Sequence, residues 1–174
     1  MNNNLVLTNV FRFFGLLLLQ GLVFRRMEFD SGVWSYIHVL IYPLFIFLLP
    51  LRTPRPLVIG AAFAMGILVD LFYYSPGIHA SAATFLGFIR PVVLGWLEPR
   101  GGYNVNYSPT RARFGNNWFL GYSAILLAIH LFWYFSAEAF TFVFIGRILL
   151  NTLLSFIVSF FFIFVYMKVF DPQD

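Results

Sequence analysis

Residues 57–74, LVIGAAFAMGILVDLFYY, form an apolar stretch that carries one charge, Asp70. After Ser75-Pro76-Gly77-Ile78, a second apolar stretch covers residues 79–97. The hydrocarbon core of a bilayer is about 30 Å thick, and a helix needs about 20 apolar residues to cross it. Proline and glycine between the two stretches mark a tight turn. The two stretches therefore predict a membrane-spanning helical hairpin.

The composition of the whole chain agrees with a membrane protein. Of its 174 residues, 60% are hydrophobic and only 10% are charged, and the mean hydropathy is +0.82. Soluble domains carry about 25% charged residues, so this chain cannot cover itself with a polar surface. The absence of cysteine excludes disulfides and thiolate metal sites.

The same length criterion predicts six helices within a single membrane domain, residues 1–174. The predicted spans are residues 5–24, 34–50, 57–74, 79–97, 117–136 and 140–168. The run FFFIFV at residues 160–165 lacks the alternation of apolar and polar residues that is typical of barrel strands. The predicted fold class is therefore an all-α polytopic membrane protein. The first span is predicted to be retained, because residues 1–4 carry no basic side chain and no small-x-small cleavage site follows.

Basic residues between the spans predict the orientation. With six spans, the N-terminus, the loop with Arg52 and Arg55, the basic loop at residues 98–115 and the C-terminus share one side. Cytoplasmic loops carry an excess of lysine and arginine, so both ends are predicted in the cytoplasm. Arg25 and Arg26 lie on the opposite side and count against this orientation. The net charge of +4 follows from topology, and no nucleic-acid partner is predicted.

Polar residues inside the predicted spans are the candidates for function, because a charge at a helix centre costs at least about 2.5 kcal/mol. The predicted buried polar set is Asp70, His79, Arg90, Arg147 and Asn151. Asp70 and Arg147 lie roughly 6 and 9 Å from the outer ends of their spans, which predicts an ion pair, with His79 as the rival partner. Arg90 has no carboxylate at its depth, so it either snorkels to headgroups or binds an anionic lipid or a partner's acid. The set is either a structural clamp or a site for a ligand or proton.

Two stripes predict close approach of helices. Ala62 and Gly66 precede Asp70 at four-residue spacing, and Ala83 and Gly87 form a similar stripe on the next span. Small residues let helix backbones approach closely, so these positions are predicted to pack or dock helices. The last span carries a polar stripe at the same spacing, predicted to point inward: Arg147, Asn151, Ser155 and Ser159.

A search for catalytic patterns is negative. The chain has no H-E-x-x-H, no G-x-S-x-G and no glycine-rich phosphate loop. His38, His79 and His130 fall on separate predicted spans and form a weak constellation, and His130 with Glu138 is a poor metal pair. No catalytic residue, metal or cofactor is predicted, and the chain is predicted not to be an enzyme.

Short motifs in fixed order cover residues 42–103. They are Tyr42-Pro43-Leu44-Phe45, Leu49-Pro50-Leu51-Arg52-Thr53-Pro54-Arg55, Gly66-Ile67-Leu68-Val69-Asp70, Gly77-Ile78-His79-Ala80, Arg90-Pro91 and Pro99-Arg100-Gly101-Gly102-Tyr103. Together they resemble the rod shape-determining MreD family, in the form found in Bacteroidetes-type bacteria. The resemblance covers roughly residues 42–138. Its most specific part is Gly66-x-x-x-Asp70 followed by Gly77-x-His79-Ala80.

The resemblance implies a non-catalytic scaffold subunit of the bacterial cell-elongation (rod) complex in the inner membrane, supporting peptidoglycan synthesis and cell shape. Its implied partners are an MreC-like single-span protein, a RodA-like glycosyltransferase, a class B penicillin-binding transpeptidase and the MreB filament. It also implies an architecture related to the substrate-binding subunits of vitamin importers, with a groove near Ala62, Gly66 and Asp70 for a partner's transmembrane helix. The alternative is a small-molecule or lipid carrier that uses Asp70, His79, Arg90 and Arg147.

Overall fold

The computed structural model of the chain describes residues 3–27 and 36–170. All regular elements in these ranges are helical: α1 (Asn3–Leu18), α2 (Leu44–Leu48), α3 (Arg55–Tyr73), α4 (Ile78–Trp96), α5 (Arg111–Phe114), α6 (Asn116–Ala139) and α7 (Ile145–Phe170). Within the described ranges, five helical stretches are long and apolar enough to cross a membrane. They are Val6–Met27, Arg55–Tyr73, Ile78–Trp96, Asn116–Ala139 and Phe142–Phe170. The chain is an all-α protein of the polytopic membrane class.

The helix α1 continues as a π-helical turn, Leu19–Val23, and a 3-10 turn, Phe24–Met27. A π turn inside a helix is rare and is often found at functional positions. Here it buries Gln20 and Gly21. A Cβ added at Gly21 would lie 2.6 Å from Cγ of Phe72, so α1 contacts α3 at this turn.

Among the described residues, α3 and α4 make the most extensive contact of any helix pair. The two helices of this hairpin begin and end within two residues of the predicted stretches 57–74 and 79–97. A Cβ added at Gly66 would lie 2.7 Å from the carbonyl oxygen of His79, and one added at Gly87 would lie 3.2 Å from Cβ of Ala62. Both glycines therefore allow an approach that larger residues would prevent.

The helix predicted over residues 34–50 is wrong. Residues 34 and 35 lie outside the described ranges, and residues 37–41 have no helical structure. Within residues 36–50, only Leu44–Leu48 is α-helical. All residues from 39 to 50 are buried. The hydropathy criterion does not distinguish a membrane-spanning helix from this segment, because a segment in the centre of a bundle is as apolar as a helix that faces lipid.

Residues 36–50, here called the central segment, run through the bundle parallel to α4. Tyr42 contacts His79 in the first turn of α4, and Leu49 contacts Arg90 further along the same helix. His79 and Arg90 are about 16 Å apart along the helix axis. The helix α2 contacts α1, α3, α4 and α6, so the core of the fold surrounds the central segment.

The loop after α4 packs against the same end of the bundle. The Tyr103 hydroxyl donates to the carbonyl of Leu94 (2.8 Å), and the Trp118 indole N–H donates to that of Leu97 (2.8 Å). Burial raises the pKa of Tyr103 to about 12. The amide of Leu51 donates to the carbonyl of Tyr107 (3.1 Å). The loop is thus attached to the end of α4 through Tyr103 and to the chain that follows the central segment through Tyr107.

Candidate functional site

Two serines of α7 bind one edge of the central segment. The amide of His38 donates to Ser155 Oγ and that of Leu40 to Ser159 Oγ, both at 2.9 Å. The same hydroxyls donate to the carbonyls of Tyr36 (3.4 Å) and His38 (3.3 Å). One helical turn separates the serines, about 6 Å, which matches alternate residues of an extended chain, about 6.6 Å apart. The side chains of α7 thus form the hydrogen bonds that a neighbouring strand would form in a sheet.

The side chain of Gln20 binds the opposite edge. Its Nε2 donates to the carbonyl of Val39 (2.9 Å), and its Oε1 accepts from the amides of Ile41 (2.8 Å) and Tyr42 (3.3 Å). Nε2 also lies 2.6 Å from the Tyr73 hydroxyl. Gln20 is fully buried in the π turn of α1. Sequence reasoning missed it, although a lone amide within an apolar span is a signal for a buried polar partner.

These bonds explain how non-helical backbone is tolerated in an apolar bundle. Each unpaired amide or carbonyl buried there would cost about 1–3 kcal/mol. Non-helical backbone at membrane depth occurs only where protein surrounds and satisfies it. In residues 36–42, backbone amides and carbonyls form hydrogen bonds with the side chains of Gln20, Ser155 and Ser159.

Asp70 caps the first turn of α4 from the end of α3. Its Oδ1 accepts from Ser75 Oγ and the His79 amide, both at 3.0 Å. Its Oδ2 accepts from the amides of Gly77 (3.1 Å) and Ala80 (2.9 Å). First-turn amides have no partner within their own helix, and the positive end of the helix dipole favours a carboxylate. The buried charge is therefore stabilised by the helix that follows it.

The predicted ion pair between Asp70 and Arg147 is wrong. Among the described residues, Asp70 accepts from the α4 turn, and Arg147 is exposed with its guanidinium carbon 5.8 Å from the Tyr36 ring centre. The predicted rival, His79, does bind Asp70, but through its backbone amide. Equal depth did not place the two charges together, because α7 packs mainly on α6.

Arg90 binds one backbone carbonyl at the end of α2 directly and reaches a second through the Tyr122 hydroxyl. The side chain is 2% exposed, its Nε donates to the Tyr122 hydroxyl (3.0 Å), and its Nη2 donates to the carbonyl of Leu49. The Tyr122 hydroxyl in turn donates to the carbonyl of Phe47 (3.0 Å). Cations are favoured at helix C-termini, where carbonyls lack helical partners. This internal role replaces the snorkelling, lipid and partner contacts predicted for Arg90.

The three histidines that looked unconnected in the sequence lie around two tyrosines. The Tyr42 hydroxyl lies 3.0 Å from His130 Nε2 and 3.2 Å from His79 Nδ1. The Tyr134 ring lies 4.8 Å from His79 and 6.1 Å from His38, between ring centres. Linked hydroxyl and imidazole groups can pass a proton or bind a small polar molecule. In the described ranges, no group of three His, Cys, Asp or Glu side chains could hold a metal ion.

The polar stripe of α7 points inward only in part. Ser155 and Ser159 are fully buried on the central segment, and Asn151 is 7% exposed. Asn151 Oδ1 has no hydrogen-bond partner among the described residues. Arg147, at the start of the stripe, is exposed. The inward prediction therefore holds for the later three positions.

The small-residue stripes pack α3 on α4. Ala62 and Ala83 are fully buried, and Gly66 and Gly87 contact the facing helix. The groove predicted near Ala62, Gly66 and Asp70 for a partner's helix is therefore wrong, since α4 already fills it. Comparison of the chain with protein-family models, with curated proteins and with solved structures finds no match.

Proposed function

We propose that this chain is a non-catalytic scaffold subunit of a bacterial cell-elongation complex, of the MreD type. The observation that carries the proposal is the structure of the most specific motif. Gly66 provides the contact with His79 and Ala80, and Asp70 binds the amides of Gly77, His79 and Ala80. The residues that resemble the family thus form one structural unit, which supports a shared architecture rather than chance similarity of apolar helices.

The buried polar side chains bind groups within the chain itself, which supports a scaffold rather than an enzyme. Asp70, Arg90 and Gln20 each bind backbone groups of the chain itself. Such groups stabilise the fold and leave few charges for substrate chemistry.

The surfaces available to partners lie on the first and last helices. In the most apolar part of each helix, 28% of Val6–Met27 and of Phe142–Phe170 is buried within the chain, against 33% for α3 and 50% for α4 and α6. The exposed apolar side chains of α7 include Leu149, Leu153, Ile157 and Phe161. We propose that the MreC-like single-span partner binds α7, where its span would cover this apolar surface. The RodA-like glycosyltransferase, the transpeptidase and the MreB filament would join through the assembled complex.

The proposed topology has six crossings of the inner membrane, with both ends in the cytoplasm. Five crossings are the long helices, and the sixth is the central segment, which covers the depth of α4 from His79 to Arg90. Arg52 and Arg55 then lie on the cytoplasmic side, as the distribution of basic residues favours.

Affinity purification from native membranes tests the scaffold proposal. The tagged chain is extracted in mild detergent, with a photo-crosslinking residue at Leu153 of α7, which is 59% exposed, or at Leu71 of α3, which is 68% exposed. Mass spectrometry should recover an MreC-like protein and cell-wall synthases, with crosslinks from position 153 and fewer from position 71. An unrelated polytopic protein with the same tag is the control. Recovery of the same set by the control, or of no cell-wall protein, would contradict the proposal.

A carrier of small polar molecules is the second candidate, favoured by the His–Tyr cluster. Unwound backbone beside buried polar groups is the usual setting of transporter sites, and Tyr42, His79 and His130 lie beside the unwound part of the central segment. This candidate predicts saturable ligand uptake by the purified chain in vesicles, abolished by Tyr42→Phe. Uptake without any recovered cell-wall partner would favour the carrier over the scaffold.

A further inference from the structure

A groove of about 830 Å³ lies between α1, the end of the central segment and the start of α3. Its floor is made by Phe45, Leu49 and Pro50, which are buried. One wall runs along α1 from Val6 to Phe14, about 12 Å by the helical rise. Apart from Asn9 in the α1 wall, the wall and the floor are lined by apolar side chains, and the groove is open at the surface of the bundle.

One end of the groove is polar and basic. Arg52, Thr53 and Asn106 line this end, and Arg52 Nη1 donates to Asn106 Oδ1 at 3.1 Å. The bond holds the exposed guanidinium beside the opening. Among the residues that the structure describes, none that lines the groove is acidic, so this lining presents a positive charge without a carboxylate beside it.

We propose that this groove binds an anionic phospholipid, with an acyl chain along α1 and the phosphate on Arg52. One leaflet of the hydrocarbon core is about 15 Å deep, and the apolar wall covers about 12 Å of helix. Arginine binds phosphate through charge-assisted hydrogen bonds, and basic pockets between membrane helices bind anionic headgroups. The groove uses none of the residues of the Gly66–Ala80 motif on which the proposed function rests.

A lipid fits the groove better than a partner's helix does. A membrane-spanning helix needs about 30 Å of contact, and the groove covers less than half of that length. Its apolar floor also ends at a single cation, as a lipid with one headgroup requires. The positive charge at the opening favours an anionic over a zwitterionic headgroup.

Native mass spectrometry of the purified chain in detergent tests the site. Phosphatidylglycerol and phosphatidylcholine are titrated separately, and phosphatidylglycerol should bind at least tenfold more tightly. Arg52→Gln removes a charge-assisted hydrogen bond and should weaken phosphatidylglycerol binding about tenfold, with little change for phosphatidylcholine. Val10→Trp should fill the groove and weaken binding of both lipids.

Two exposed positions outside the groove provide matched controls. Arg55→Gln removes a neighbouring charge that does not line the groove, and Leu149→Trp adds the same ring to α7. Both should bind lipid like the unchanged chain, and all variants should keep its melting temperature. Equal affinity for the two lipids, equal losses for Arg52→Gln and Arg55→Gln, or a polypeptide retained in place of lipid would overturn the proposal.

Discussion

The α3–α4 hairpin and the central segment both run through the bundle, and buried polar side chains fix both. In the hairpin, Asp70 binds groups that follow it by five to ten residues. In the central segment, the bonds from Gln20 span 19 to 22 residues, and those from Ser155 and Ser159 span 117 to 121. The hairpin is therefore held by local contacts, and the central segment depends on helices from both ends of the chain.

This difference predicts how each region responds when one of its contacts is removed. Loss of a contact in the hairpin should separate α3 from α4 and unfold the bundle, because these helices share its most extensive contact. Loss of a contact to the central segment should release residues 36–42 while α3 and α4 stay together. The variants below are ordered by the expected loss in free energy of unfolding.

Asp70→Ala should cause the largest loss. It removes the acceptor of four hydrogen bonds and leaves the amides of Gly77, His79 and Ala80 unpaired. Unpaired buried donors cost about 1–3 kcal/mol each, so we expect a loss of about 4 kcal/mol in the free energy of unfolding. Reversible unfolding in mixed micelles measures it. Asp70→Asn, which keeps an acceptor oxygen, should lose less. If Asp70→Ala lowered the free energy of unfolding by less than Arg147→Gln does, the capping role of Asp70 would be disproved.

Gln20→Leu should follow, at about 3 kcal/mol, because it leaves one carbonyl and two amides of the central segment without their partner. Hydrogen exchange should accelerate at Ile41 and Tyr42 and stay unchanged in the α3–α4 hairpin. The matched control is Leu18→Ala, an exposed position of the same helix. Uniform acceleration across the bundle would show that the two regions are not independent.

Gly66→Ala should cost about 2 kcal/mol, since overpacking of a close contact costs about 1–3 kcal/mol. The added methyl group would meet the backbone of His79 and Ala80, which cannot rotate away as a side chain can. Gly60→Ala, on the same helix with open space around it, should be neutral or stabilising. Equal melting temperatures for the two variants would contradict the close approach of α3 and α4.

Arg147→Gln should have the smallest effect, below about 0.5 kcal/mol, as for most exposed substitutions. The side chain is exposed at the start of α7 and forms no ion pair with Asp70 among the described residues. A double-mutant cycle with Asp70→Asn should give a coupling energy close to zero. Coupling above about 1 kcal/mol would restore the ion pair that the sequence predicted.

The sequence predicted the hairpin well because its determinants are local. Gly66, Asp70 and Gly77 lie within twelve residues, and apolar length with turn residues is enough to place both helices. The central segment was misread because its state depends on Gln20 and Ser159, which lie far away in the sequence. Its apolar residues satisfy the same hydropathy criterion whether they form a helix in lipid or an extended chain inside protein.

The candidate site shows the same division. The buried state of Asp70, His79, Arg90 and Asn151 was predicted from their apolar surroundings. The partners of these residues were not predicted. The depth of a residue in its helix gives its position along the membrane normal, but it does not show which neighbouring helix the side chain faces. The meeting of His79 and His130 at Tyr42 required the path of the central segment, which the sequence pattern did not reveal.

Backbone chemical shifts of residues 36–50 in lipid bilayers test the central claim most directly. Solid-state NMR of the labelled chain would report the conformation of each residue without any substitution. The structure predicts non-helical, extended shifts for residues 37–41 and helical shifts for residues 44–48. Continuous helical shifts from residue 36 to residue 50 would contradict it and restore the sixth helix.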